Sequence, residues 1–184
     1  MSYRQNDILI PESSYIRFND VQLKKYYFND VLVWQRQQKI YPGIPVAKTQ
    51  NLGYSPYFTV TNLGYHIKVD AFGGTERGWG RVMLGPFNSW GYSKLFFANL
   101  HAYITNSFSK IKVALGDING NVVQQLIYYD TGESGSGYDK TFVSSDLFTI
   151  NTANGNYYLI LEVDSGATHL GKNATIEMNG CYLI

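Results

Sequence analysis

Over most of the chain beyond residue 55, apolar and polar residues alternate with a period of two. In Gly64–Phe72 (GYHIKVDAF), Tyr65, Ile67, Val69 and Ala71 fall on one face, and His66, Lys68 and Asp70 on the other. Lys94–Thr105 (KLFFANLHAYIT) places Phe96, Ala98, Leu100, Ala102 and Ile104 together, with Asn99, His101 and Tyr103 opposite. Lys110–Gly116 directs Ile111, Val113 and Leu115 inward. Asn121–Tyr129, Leu147–Ile150, Asn156–Val163 and Ala174–Met178 continue the pattern. The runs are rich in β-branched and aromatic residues and are bounded by Gly, Asn, Asp and Ser, which are strand signals. No long helical period competes with them. Eight or more half-buried strands in about 140 residues predict two packed antiparallel sheets, an all-β sandwich of jelly-roll type. GDINGNVVQQ is expected to form a hairpin turning at Asn119-Gly120.

The start of the chain follows another rule. Ile16–Lys25 (IRFNDVQLKK) and Tyr26–Gln35 (YYFNDVLVWQ) share Phe-Asn-Asp-Val, at Phe18–Val21 and Phe28–Val31. Asn-Asp between apolar neighbours suits a two-residue turn, because both residues tolerate positive φ. Two such turns predict a three-stranded β-meander or hairpin element. In its last strand Val31 and Val33 point one way, and Leu32 and Trp34 the other, so both faces are apolar and both need cover. Ile40–Lys48 (IYPGIPVAK) holds two of the five prolines and reads as an extended linker. The expected division is residues 1–45 as N-terminal hairpins and linker, and residues 46–184 as the sandwich.

Composition narrows the classes. Charged residues make up 16%, against about a quarter in typical domains, and aromatic residues another 16%. A net charge of +1 gives no field to attract nucleic acid or an anionic membrane. A single cysteine, Cys181, excludes an internal disulfide and reads as a small buried residue. The first ten residues, MSYRQNDILI, have no apolar core of a signal peptide, and no run reaches membrane-spanning length; synthesis in a cytoplasm is expected.

Few residues suggest catalysis. His66, His101 and His169 have no metal-ligand spacing, and read as surface histidines. Asp117, Asn119 and Asn121 have the spacing of a calcium loop without its distal glutamate, so the hairpin explains them better. Glu76 and Glu133 sit in glycine-rich loops, poor platforms for a fixed acid–base pair. No metal, cofactor or catalytic residue is expected, and a glycan-degrading enzyme is disfavoured. Binding is better supplied. Phe72–Arg81 gathers Arg77, Trp79 and Arg81, and Gly85–Tyr92 adds Trp90 and Tyr92. Aromatic faces beside hydrogen-bonding groups grip sugar rings, and the same residues make protein–protein hot spots. A third reading has Trp79 or Trp90 capping the core.

The doubled FNDVQLKKYYFNDVLVW resembles a short N-terminal motif of tailed-bacteriophage virion proteins, with two Asn-Gly or Asn-Asp turns and a terminal Val-Trp. The likeness covers about Ile16–Trp34, and Asp20 and Asp30 replace the commoner glycine. It implies a non-enzymatic structural protein of a tail, baseplate or fibre, made in the host cytoplasm and carried in the virion. Phe18, Phe28, Val31, Val33 and Trp34 would then attach it to other virion proteins. The partners so implied are virion proteins, further copies of the chain (a trimer among the options) and a host surface glycan. The alternative is a free carbohydrate-binding module.

Overall fold

A computed structural model of the chain describes residues 3–5, 8–10, 17–18, 21–22, 25–28, 31–35, 37–105, 108–132, 137–166 and 173–184. The chain forms two compact units, Met1–Gln38 and Lys39–Leu183.

The first unit contains β1 (Tyr3–Gln5), β2 (Ile8–Ile10), β3 (Arg17–Phe18), β4 (Val21–Gln22), β5 (Lys25–Phe28) and β6 (Val31–Gln35). They pair as three two-stranded antiparallel ladders, β1–β2, β3–β4 and β5–β6. Phe18 pairs with Val21 and Phe28 with Val31, so the first and last residues of each FNDV copy are cross-strand partners. Among the described residues β4 does not pair with β5, and separate hairpins replace the expected three-stranded meander. Asn19, Asp20, Asn29 and Asp30 lie outside the described residues. So do the side chains of Phe18, Phe28, Val31, Val33 and Trp34, on which the attachment argument rests.

The second unit is the sandwich. Its strands are β7 (Gln38–Tyr41), β8 (Val46–Asn51), β9 (Phe58–Asn62), β10 (Ile67–Phe72), β11 (Trp79–Asn88), β12 (Lys94–Ile104), β13 (Lys110–Gly116), β14 (Val122–Asp130), β15 (Tyr138–Val143), β16 (Leu147–Thr149), β17 (Asn156–Asp164) and β18 (Asn173–Leu183). One sheet runs β15-β12-β18-β10-β9, with β16 also on β12 and β7 also on β18. The other runs β14-β13-β17-β11-β8. This is the expected all-β, antiparallel two-sheet arrangement of jelly-roll character. The core is the sum of the inward phases. Ile67, Val69 and Ala71 of β10 meet Ile111, Val113 and Leu115 of β13 in one cluster, joined by Leu159, Leu161 and Val163 of β17.

Three local expectations change. Ile40–Lys48 is not a linker. Its first residues end β7 and its last begin β8, and Ile40 and Tyr41 are buried in the core. In β12 the inward phase reverses at an irregularity: Phe97 pairs with Cys181 and Asn99 with Gly180, leaving Ala98 as an extra residue. Leu95 and Phe97 therefore enter the core, Ala98 is exposed, and Phe96 stacks on Tyr182 with ring centroids 5.1 Å apart. The β13–β14 hairpin forms, but its loop is the five residues Asp117–Asn121. The Asp117 carboxylate accepts the Asn119 and Asn121 amides at 2.8 and 2.9 Å and the Asn121 side-chain amide at 3.0 Å. Those bonds, the Asn121 side chain first, hold its carboxyl below the ordinary carboxylate range and make Asp117 a loop-closing group. Cys181 is buried, and burial pushes its thiol well above the usual range.

Candidate functional site

The outward face of the five-stranded sheet follows from its register. Where Ile111 and Val113 point inward, Lys110 and Lys112 point outward; the same alternation turns out Glu162 and Asp164 of β17, Trp79 and Arg81 of β11, and Tyr128 and Asp130 of β14. Cross-strand pairing sets these in two rows. One runs Trp79, Asp164, Lys110, Asp130; the next runs Gln50, Arg81, Glu162, Lys112, Tyr128. β11 and β14 are three strand spacings apart, about 14 Å. Arg77, Trp79, Lys110, Lys112, Tyr128, Glu162 and Asp164 line a cleft of about 240 Å³.

The floor is paired charge. Lys112 Nζ donates to Glu162 at 2.8 Å, and Lys110 Nζ lies 2.9 Å from Asp130. The hydrogen bond to Asp130 raises the Lys110 ammonium, and its counterpart lowers the Asp130 carboxyl. Arg77 forms a bidentate pair with Asp164, its Nε 2.7 Å from Oδ1. The Arg77 guanidinium also lies over the Trp79 ring, 4.6 Å from the centroid. At the other side, burial and then the charge-bearing Asp130 raise the Tyr128 phenol, which donates to Asp130 at 3.2 Å.

The glycine-rich loop before β11 is held, not loose. The Gly78 amide donates to Ser165 Oγ at 3.0 Å, and Ser165 N donates to the Gly78 carbonyl at 2.8 Å. A side chain at Gly78 would sit 2.2 Å from the Tyr57 carbonyl and 2.4 Å from the Phe72 carbonyl, so glycine is required by close packing. In the next row along the same face, Met83, Ala114 and Ile160 form a second buried cluster. The Asp117–Asn121 loop folds towards it: Gly120 approaches Met83, and its carbonyl accepts from Arg81 at 3.1 Å.

The candidate residues from sequence separate here. Arg77 and Trp79 line the cleft. Arg81 stands in the adjoining row, turned to Gln50 and the Gly120 carbonyl. Trp90 lies two residues beyond the far end of β11, the strand that Trp79 begins, and is 58% exposed. Tyr92 is only 6% exposed and belongs to the core, so it offers no binding face. Lys110, Lys112, Tyr128, Glu162 and Asp164 escaped the sequence reading. Their outward phase was readable, but nothing in the sequence places β14, β13, β17 and β11 side by side.

On the opposite sheet, His66, Asn99, His101, Thr141, Glu177 and Asn179 line a polar hollow. His101 is 2.8 Å from Asp139, and His66 3.9 Å from Glu177. Among the described residues no three His, Cys, Asp or Glu side chains converge on a metal position. His169 and Glu133 lie outside the described residues, and Glu76 is exposed.

No protein-family model matches the chain, and no curated protein is similar to it in sequence. Solved structures are similar in fold. A family 29 carbohydrate-binding module is 12% identical with a TM-score of 0.42, over 80% of this chain and 88% of that one. A family 61 carbohydrate-binding module in complex with β-1,4-galactotriose is 11% identical with a TM-score of 0.42, over 76% and 89%. The C-terminal family 6 module of a marine laminarinase from Zobellia galactanivorans is 9% identical with a TM-score of 0.36, over 80% and 98%. These are likenesses of fold alone. The expectation of a virion structural protein is corrected: none of these comparisons supports it, and the solved structures named above are carbohydrate-binding modules, the class of the alternative reading.

Proposed function

We propose that the protein is a carbohydrate-binding module that holds a glycan in the cleft between Trp79 and Tyr128. One observation carries the reading: two aromatic side chains, on β11 and β14, flank a floor of fixed hydrogen-bonding pairs on one outward sheet face. Sugar rings present apolar C–H faces to aromatic rings and hydroxyls to donors and acceptors, so both halves of the cleft are matched. The floor is pre-ordered, because Arg77, Lys110 and Lys112 are each tied to a carboxylate and lose little further freedom on binding. At about 240 Å³ the cleft encloses a short segment of glycan and leaves the rest of a chain in solvent.

Binding on a glycan array, followed by calorimetric titration of the sugars found, tests the proposal. Trp79→Ala and Tyr128→Ala are each expected to weaken binding by about 2 kcal/mol, on the order of thirtyfold, as for truncated aromatic anchors. Truncating the exposed Tyr128 is expected to leave the melting temperature near that of the parent. Trp79→Ala, which removes a half-buried ring from under Arg77, is expected to lower it by a few degrees, so its affinity is read well below the transition. Undiminished binding in both variants would overturn the site.

A further inference from the structure

We propose, resting on that reading, that the cleft selects an uncharged glycan and grips one vicinal diol between Lys112 and Glu162. The three cations lining the cleft are already matched. Arg77 is held by Asp164, Lys110 by Asp130 and Lys112 by Glu162, at 2.7, 2.9 and 2.8 Å. Arg81, in the same row, is turned to Gln50 and the Gly120 carbonyl and does not line the cleft. A uronate or sulfate entering here would compete with a carboxylate in place and lie beside it, which disfavours charged ligands.

A neutral sugar meets no such penalty. Each hydroxyl both donates and accepts, and an ammonium beside a carboxylate supplies the two complements. Lys112 has three donors and commits one to Glu162, whose two oxygens accept further bonds. The 2.8 Å between Lys112 Nζ and Glu162 Oε1 is close to the separation of neighbouring hydroxyl oxygens on a pyranose ring. The pair stands mid-floor, between the strands that carry Trp79 and Tyr128.

The test titrates the full chain with two panels: neutral gluco-, manno-, galacto- and xylo-oligosaccharides, and oligogalacturonates with sulfated glycosaminoglycan fragments. Neutral sugars are expected to bind at least about tenfold more tightly, with a Kd that changes less than about twofold between low and high salt, since screening acts on net charge. Glu162→Gln, which leaves the Lys112 charge unmatched, is expected to weaken neutral binding about tenfold and strengthen acidic binding. Lys112→Gln is expected to weaken neutral binding without that gain, and decides the matter if Glu162→Gln melts early. Tighter binding of the acidic panel with steep salt dependence would overturn this inference and leave the module reading intact. Failure of both panels to bind would overturn both.

Discussion

Two tryptophans and a tyrosine that are near neighbours in the sequence serve different parts of the molecule. Trp79 lines the cleft, Trp90 is exposed past the other end of the same strand, and Tyr92 fills the core. Alanine at Trp90 is therefore expected to leave glycan binding and the melting temperature unchanged. Alanine at Tyr92 is expected to cost about 3 kcal/mol, as for other buried aromatic truncations. That appears as a melting transition lower by several degrees, with affinity kept at temperatures where the protein stays folded. Calorimetric titration and thermal melts of the two variants, side by side, check the assignment. Loss of binding in Trp90→Ala alone would move the site to the other end of β11. In the sequence, Arg77, Trp79 and Arg81 crowd charge and aromatic area into ten residues; in the fold, Arg77 and Trp79 line the cleft and Arg81 turns to Gln50 and the Gly120 carbonyl. The pattern around Tyr92 does not separate a core from a surface role, because aromatic residues suit both equally well; the fold buries it.

The loop Gly73–Gly78 decides where Arg77 and Trp79 stand. A bridge between Gly73 and Arg77 closes it, and the two Gly78–Ser165 bonds fasten it to the end of β17. A run of glycines suggests freedom, yet Gly78 is there because carbonyls of Tyr57 and Phe72 occupy the space a side chain would need. Gly78→Ala is expected to push the loop away from Ser165 and Asp164, with a cost of about 1–3 kcal/mol from overpacking. It is also expected to lower glycan affinity, because Arg77 loses its carboxylate. Gly155→Ala is the matched control: its added carbon would meet Tyr157 at ordinary contact distance, 3.5 Å or more, and both measurements are expected to hold. If Gly78→Ala lowers the melting temperature without lowering affinity, the loop is a structural fastening only.

At the scale of the whole chain, the division between units falls earlier than the prolines suggest. Ile40 and Tyr41 are buried with the sandwich core, and Tyr41 donates its hydroxyl to Asn62 at 2.9 Å. A chain beginning at Gln37 is expected to keep the melting transition and glycan binding of the sandwich. A chain beginning at Val46 loses two buried side chains and one paired strand, and is expected to be less stable by roughly 4 kcal/mol or more. Thermal melts of both, with titration of the same sugar, test this. Equal stability of the two would mean that β7 contributes nothing to the sandwich.

What the sequence determined by itself was the local order: the period-two alternation, the strand-rich composition and the turn residues specified an all-β sandwich, most inward phases and the FNDV hairpins. These depend on neighbours along the chain, and neighbours are written in it. Tertiary structure alone decided what depends on partners across the sheet. The phase of β12 reverses across Ala98 because its pairing with β18 passes over Ala98 on one strand and Asn179 on the other. The cleft exists because β13 and β17 lie between β14 and β11, which brings residues as distant in sequence as Trp79, Lys112, Tyr128 and Glu162 onto one surface. Lys112 and Glu162 are ordinary outward residues in their own strands. Only strand order makes them a pair, and strand order is fixed by how two sheets close over one core.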